Sequence, residues 1–163
     1  MFAYIDSTSC QIERPSDKLI QGELYDGKHK FHSLKYECCV RSDGLFVWRS
    51  SPFPGKMHDI RVFNESGLLD KIRAGEMLIG DKGYAGHESI ITPYKGRNIS
   101  EDEKHFNRVI GSARVIIEHS FGRLKNFNIL NHPFRNNLDD HQLFFEICVN
   151  LTNINIMFSP MFQ

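Results

Sequence analysis

The sequence lacks both a long apolar run and a net charge. No stretch of its 163 residues approaches the ~18 apolar residues that a membrane-spanning helix needs. The amino terminus, MFAYIDST, has neither the basic start nor the apolar stretch of a secretory signal. We therefore expect a globular, soluble domain that is neither secreted nor bound to a membrane.

Cysteine is scarce and irregularly spaced. Four cysteines occur, and no two of them form the CxxC pair of a zinc site. Free buried thiols in a reducing compartment are the simplest interpretation. Because the length suits one hydrophobic core and no internal repeat is present, we expect a single domain over residues 1–163.

Charge is balanced over the whole chain but not along it. Twenty basic and 20 acidic residues cancel, so composition gives no general argument for binding nucleic acid. Between residues 95 and 135, however, eight Lys and Arg accompany four Asp and Glu. This basic bias indicates either a solvated face or a surface for a polyanion.

The apolar patterns predict a mixed α/β fold. An antiparallel group of three strands comes first, and a strand follows the first helix, which is typical of a mixed sheet covered by helices on both faces. The predicted elements are a strand at 2–13, a hairpin at 31–51, a helix at 58–72 interrupted at Gly67, a strand at 76–80, an extended segment at 89–94, and helices at 100–126 and 138–157.

Three acidic residues stand out by their positions in these elements. Asp6 lies inside the first strand, Asp81 ends the strand after the first helix, and Glu118 borders the apolar stripe of the long helix. Strands joined by a helical crossover are commonly neighbours, so the two aspartates can meet. If Glu118 joined them, three carboxylates ~5 Å apart would repel by roughly 3 kcal/mol per pair, which favours protonation or a bound cation.

Carboxylate oxygens suit Mg²⁺ or Mn²⁺, and two such ions about 4 Å apart can cleave a phosphodiester. Simpler interpretations remain open for each acid. Asp6 could be a surface acid of an edge strand, and Asp81 could only form a turn. Glu118 could pair with Arg114 one helical turn away.

Several motifs together carry a family resemblance. In chain order they are YIDST, HDIRVF, IGDKGYAG, PYKGRN, EDEKHFNRVIGSARVIIEHSFGRLK and VNLTNI. They resemble the motifs of the DDE superfamily endonuclease domain, the catalytic domain of PIF/Harbinger-type transposases and of related bacterial insertion-sequence transposases. The resemblance runs from about Tyr4 to Ile154, and GDKGY followed by RVIIEHSFGRLK is its most specific part.

The resemblance implies a ribonuclease H-like fold and a transposase catalytic domain that cleaves, and in some members joins, DNA with two Mg²⁺ or Mn²⁺ ions. By motif, it assigns the catalytic and metal-binding positions to Asp6, Asp81 and Glu118. His58 and Asp59 match another recurrent motif of the family and are expected to be auxiliary residues. Arg114 and His119 are expected to be auxiliary by their positions, Arg114 because it could orient Glu118 and His119 because it is next to Glu118. Asp59 could equally cap a helix.

DNA is the partner that this resemblance implies. Arg123 and Lys125, beyond Glu118, are predicted to contact DNA phosphates. Lys28, Lys30 and Lys35 near the hairpin are further candidates for phosphate contacts, and a solvated face is the equally open alternative for these three. The family's usual amino-terminal helix-turn-helix region is expected to be absent. A separate DNA-recognition protein and a homo-oligomer are therefore further expected partners, and the expected location is the nucleus, with the cytoplasm as the alternative.

Two other functions remain open at this stage. One is a catalytically inactive or truncated descendant that binds DNA or protein through the same surface. The other is a ribonuclease or other phosphodiesterase on the same fold.

Overall fold

A mixed sheet forms the centre of the computed structural model, which describes residues 2–161. Its strands are β1 (Phe2–Gln11), β2 (Tyr25–Asp26), β3 (Phe31–Val40), β4 (Phe46–Arg49), β5 (Phe53–Pro54), β6 (Met77–Ile79) and β7 (Ile90–Ile91). The α-helices of this part of the chain are α1 (Lys18–Leu24), α2 (Asp59–Glu65), α3 (Glu101–Leu124), α4 (Asn128–Asn131) and α5 (His141–Phe158).

The sheet combines antiparallel and parallel pairing. Its order is β2-β3-β1-β6-β7, and β4 and β5 also pair with β3. β1 runs antiparallel to β3 and parallel to β6, with Tyr4 opposite Ile79. The predicted mixed sheet is therefore confirmed. The predicted contact between the first strand and the strand at 76–80, which is β6, is also confirmed. The architecture is consistent with a ribonuclease H-like fold.

Helices cover both faces of this sheet, as predicted. Alternate residues of β1 point to opposite sides. Tyr4 and Cys10 pack with Ile117 of α3 and Phe145 of α5 in one apolar cluster. On the other face, Ile5 packs in a second cluster, whose further members include Cys39, Phe63, Leu68, Leu78 and Tyr84.

The long helix α3 begins where its sequence predicts. The Ser100 side chain accepts a hydrogen bond from the Glu103 N–H, and the Glu103 carboxylate accepts one from the Ser100 N–H. This capping box satisfies two N–H groups that a helix start would otherwise leave unpaired. The apolar stripe then buries Ile110, Ile117 and Leu124 against the sheet.

Other element boundaries differ from the predictions for local reasons. The helix predicted over 58–72 stops at Glu65, because Gly67 takes a left-handed φ of +78°, and a short 3₁₀ turn follows. The last helix begins at His141 instead of Leu138, since a 3₁₀ turn capped by Asn137 comes first. The short helices α1 and α4 were not predicted.

All four cysteines are free and buried. Within residues 2–161, none of the helices has the length and apolar character that crossing a membrane requires.

The contact of α3 with the sheet should dominate stability. Ile117 is fully buried, whereas Val109, which the apolar pattern also assigned to the stripe, is 53% exposed. We expect Ile117→Ala to lower the free energy of unfolding by roughly 3 kcal/mol, because it removes buried methyl groups and leaves a cavity. Val109→Ala on the same helix should cost less than about 0.5 kcal/mol in urea unfolding. Equal costs for both variants would contradict this packing.

Candidate active site

The site lies beyond the last paired residues of β1 and β6. Tyr4 and Ile79 are paired neighbours, and Asp6 and Asp81 each follow two residues later. β6 has ended by then, and Asp81 caps a 3₁₀ turn over Lys82–Tyr84, with its Oδ1 accepting the Gly83 N–H at 2.6 Å. Parallel pairing therefore delivers both aspartates to one end of the sheet.

Asp6 is held by one backbone group and one cation. Its Oδ1 accepts the N–H of Ser7 at 2.8 Å, and its Oδ2 accepts a hydrogen bond from Arg114 Nη2 at 2.9 Å. Burial nevertheless raises the pKa of Asp6 to about 6, against the lowering effects of Ser7 and Arg114, and the charges of Asp81 and Asp59 raise it further. The negative charge here is thus only partly compensated.

Asp59, the first residue of α2, lies near Asp6 and Asp81. A Cβ atom on Gly83 would lie 2.8 Å from Asp59 Oδ2 and 2.8 Å from Asp81 Oδ1, so the two carboxylates converge on one point. A side chain at position 83 would therefore press on both carboxylates. The Lys35 ammonium contacts Asp59 Oδ1 at 3.2 Å. His58 is the N-cap of the same helix and makes no side-chain capping bond.

Glu118 stands apart from these aspartates. It is exposed on α3, one turn beyond Arg114, and it borders a surface depression with His119, Gly122 and Arg123. Arg114 forms its ion pair with Asp6, not with Glu118. Across residues 2–161, no three His, Cys, Asp or Glu side chains lie close enough together to hold a metal ion. The structure therefore places Asp6, Asp59 and Asp81 in one region without the spacing of a formed metal site, and Glu118 lies outside this region.

The aspartates fit a divalent metal by their chemistry. Carboxylate oxygens are the donors that Mg²⁺ and Mn²⁺ prefer. The raised pKa of Asp6, caused first by burial, shows that its ionised form lacks compensation that a cation would supply. Glu118 could complete such a donor set only if its side chain turned toward Asp6.

Three of the five cations predicted to contact DNA form hydrogen bonds with other groups of the protein. Lys35 also donates to the Met57 carbonyl at 2.6 Å. Arg123 donates to Asn155 Oδ1 at 3.0 Å and to the Ser159 carbonyl at 2.6 Å. The Lys125 ammonium donates to the carbonyls of Ser9 at 2.7 Å and Leu130 at 3.0 Å. A DNA contact by these groups would cost internal hydrogen bonds.

The other two predicted cations are placed differently. Lys28 and Lys30 are exposed in the turn between β2 and β3, where the Lys28 N–H donates to the buried Asp26 carboxylate at 2.9 Å. Their ammonium groups form no ion pair within the part of the chain that the structure describes. They remain available for phosphate contacts.

Sequence reasoning missed one buried acid beside the site. Glu37 on β3 is fully buried, and burial raises the pKa of its carboxyl to about 7, while the hydroxyls of Ser66 and Tyr84 lower it. The available signal was an acid within the otherwise apolar run YECCV. Asp59 was assigned only an auxiliary place, although its HD motif was visible.

Comparison with known proteins finds a matching family and two relatives. The family model described as DDE superfamily endonuclease matches residues 5–153. A probable transposase for insertion sequence element IS702 from Microchaete diplosiphon is 34% identical over 81% of this chain and 49% of its own length. Protein ALP1-like from Arabidopsis thaliana is 25% identical over 93% of this chain and 42% of its own length.

The chain thus spans about half the length of these curated relatives. No solved structure matches it significantly.

Asp6→Asn should remove a pH-dependent loss of stability. Because folding raises the Asp6 pKa from 3.8 to about 6, the folded state keeps a proton that the unfolded chain releases, so stability falls as pH rises through this window. Asparagine cannot ionise, and we expect the metal-free variant to be more stable near neutral pH by roughly 2 kcal/mol.

Urea unfolding of both proteins from acid to neutral pH measures this difference, with exposed Asp70→Asn as the control. The Asp6 charge also raises the pKa of Glu37, so the difference between the wild type and Asp6→Asn includes this smaller effect. Parallel stability profiles for the wild type and Asp6→Asn would contradict the account.

Proposed function

Because this chain belongs to the DDE superfamily of endonucleases, we propose that it is a transposase-type catalytic domain that cleaves DNA phosphodiester bonds in a metal-dependent reaction. The observation that carries the proposal is the convergence of Asp6 and Asp81 from paired parallel strands. Both belong to motifs, YIDST and GDKGY, that resemble those of the family, and both lie within residues 5–153, which the family model matches. Joining of the cleaved ends is part of the proposed activity.

Asp6, Asp81 and Glu118 are the residues that would hold Mg²⁺ or Mn²⁺. A pair of such ions supplies an activated water or 3′-hydroxyl and stabilises the leaving oxygen of the phosphodiester. The protein's own contribution is positioning. The N–H groups of Ser7 and Gly83 each fix one oxygen of an aspartate, at 2.8 and 2.6 Å.

Arg114 has the role of a temporary counter-charge in this proposal. It neutralises Asp6 in the metal-free protein, at 2.9 Å, and its side chain is only 16% exposed. Its Nε is buried without an acceptor among residues 2–161. Release of Asp6 would free Arg114 for a DNA phosphate, since guanidinium groups bind phosphate well. Glu118 follows one turn later on the same helix.

Partners and location are also proposals. Lys28 and Lys30 extend the DNA-binding surface, while a separate DNA-recognition protein and a homo-oligomer remain expected partners. A nuclear location, with the cytoplasm as the alternative, follows from the Harbinger-like motifs. Imaging a fluorescent fusion in the native host tests this location, and exclusion from the nucleus would reject it.

A non-catalytic DNA- or protein-binding domain is the second candidate. The observation that favours it is the position of Glu118 outside the aspartate group, with Arg114 already paired to Asp6. In that case the wild-type protein would bind DNA but show no Mn²⁺-dependent cleavage.

Replacing Asp81 or Glu118 by its amide should abolish cleavage. We expect Asp81→Asn and Glu118→Gln each to reduce Mn²⁺-dependent nicking of supercoiled DNA by at least roughly a hundredfold, because each removes a carboxylate that would hold the ion, and the ion supplies charge stabilisation to the reacting phosphate. Glu101→Gln is the matched control, since Glu101 is an exposed acid of the same helix. It should cleave like the wild type.

If Glu118→Gln keeps full activity while Asp81→Asn is inactive, Glu118 is not one of the residues that hold the metal. Asp59→Asn would then be the next variant to assay, because Asp59 converges with Asp81. Full activity of all three variants would overturn the proposed site. Cleavage of RNA in preference to DNA would instead favour the phosphodiesterase alternative.

The exposed lysines of the β2–β3 turn should contribute to DNA affinity. We expect the double variant Lys28→Gln/Lys30→Gln to weaken DNA binding and to reduce the salt dependence by about two phosphate contacts. Lys71→Gln/Arg73→Gln is a control of equal charge at the opposite end of the sheet, where Lys71 lies near the start of β6. Fluorescence anisotropy at several salt concentrations measures the DNA affinity of both variants and of the wild type. A Lys28→Gln/Lys30→Gln variant with the same salt dependence as the wild type would show that this turn does not contact DNA.

A further inference from the structure

Glu37 is a fully buried acid of β3. Its side chain is 0% exposed, and neither carboxyl oxygen meets a donor in suitable geometry among residues 2–161. Burying a carboxyl without good hydrogen bonds costs free energy, whereas burying an apolar side chain of the same size is favourable. A carboxyl retained within the buried run YECCV therefore indicates a specific role.

The position of Glu37 connects it to the aspartates. It lies on β3 directly opposite Ser7 of β1, which is the residue after Asp6. Burial raises the pKa of the Glu37 carboxyl most, the nearby hydroxyls of Ser66 and Tyr84 lower it, and the charges of Asp59 and Asp6 raise it further. The Tyr84 hydroxyl also contacts Ser7, the residue opposite Glu37. Glu37 therefore stands behind the site, on the side of the sheet that Tyr84 occupies.

Tyr84 links the segments that carry the two aspartates. Its ring is fully buried, and its hydroxyl is 2.9 Å from Ser7 Oγ. Tyr84 ends the 3₁₀ turn that Asp81 begins, and the Ser7 N–H holds Asp6. This hydrogen bond thus joins the Asp81 turn to β1 one residue from Asp6.

We propose that Glu37 is a positioning residue that orients the Tyr84 hydroxyl toward Ser7 and thereby fixes the spacing of Asp6 and Asp81. A hydroxyl can both donate and accept, so the Tyr84–Ser7 bond alone does not set its own direction. A carboxyl beside Tyr84 provides the second partner that does. The proposal rests on the proposed nuclease function only for its consequence in metal binding.

Amide hydrogen exchange of the metal-free protein tests the positioning directly. We expect Glu37→Leu and Tyr84→Phe each to speed exchange of the Ser7 and Gly83 amides about tenfold, since each loosens the same local hydrogen bonds. Glu37→Gln keeps a polar partner for Tyr84 and should stay within about twofold of the wild type.

Ser33→Ala is the matched control. Ser33 is a second buried and unpartnered polar residue of β3, away from Tyr84. Its removal should leave the Ser7 and Gly83 amides unchanged. If Glu37→Leu does not fold, Tyr84→Phe decides, because it retains the ring and removes only the hydroxyl. Exchange at both amides within about twofold of the wild type in Tyr84→Phe would overturn the proposal.

Binding of Mn²⁺ alone, followed by electron paramagnetic resonance, gives the second readout. Glu37→Leu should weaken Mn²⁺ binding about tenfold, as expected when a group that orients metal ligands is lost, and Glu37→Gln should recover most of it. Unchanged Mn²⁺ affinity in a folded Glu37→Leu would overturn the link to the metal site. Absence of Mn²⁺ binding in the wild type would count against the proposed nuclease, whereas the exchange experiment would still decide the role of Glu37.

Discussion

The parallel pairing of β1 with β6 is the constraint on which the site depends. Tyr4 lies opposite Ile79, so the register brings Asp6 and Asp81 to the same level beyond the paired residues. A shift of one residue would turn one aspartate to the other face of the sheet. The register is secured because Ile5 and Leu78 belong to the apolar cluster on one face, while Tyr4 and Ile79 belong to the cluster on the other.

The negative charge of the aspartates near this pairing is partly compensated by cations from both faces of the sheet. Arg114 reaches Asp6 from α3, and Lys35 reaches Asp59 from β3. Two cations against three aspartates leave a deficit of positive charge, and the raised pKa of Asp6 expresses that deficit together with its burial. A metal-dependent nuclease requires such an arrangement, because carboxylates that were fully paired inside the protein would have little affinity for a cation.

Local patterns predicted what depends on neighbouring residues in the chain. The capping box of α3, the break at Gly67 and the adjacency of the first strand to β6 follow from short motifs and from the geometry of crossovers. The internal use of Lys35 and Lys125, and the convergence of Asp59 on Gly83, depend on which distant segments meet. A pattern of charge along the sequence carries no such information. Glu118 is a second example. Helical periodicity predicted which side of α3 carries Glu118, but it could not predict that Arg114 on the same helix forms the ion pair with Asp6.

Anomalous diffraction from a crystal soaked in Mn²⁺ tests the central claim most directly. The account predicts an anomalous peak at coordination distance, about 2.2 Å, from carboxylate oxygens of both Asp6 and Asp81, with Arg114 displaced from Asp6 and Glu118 turned toward the ion. A well-ordered crystal with no peak between the two aspartates, or with Mn²⁺ bound only elsewhere, would contradict it.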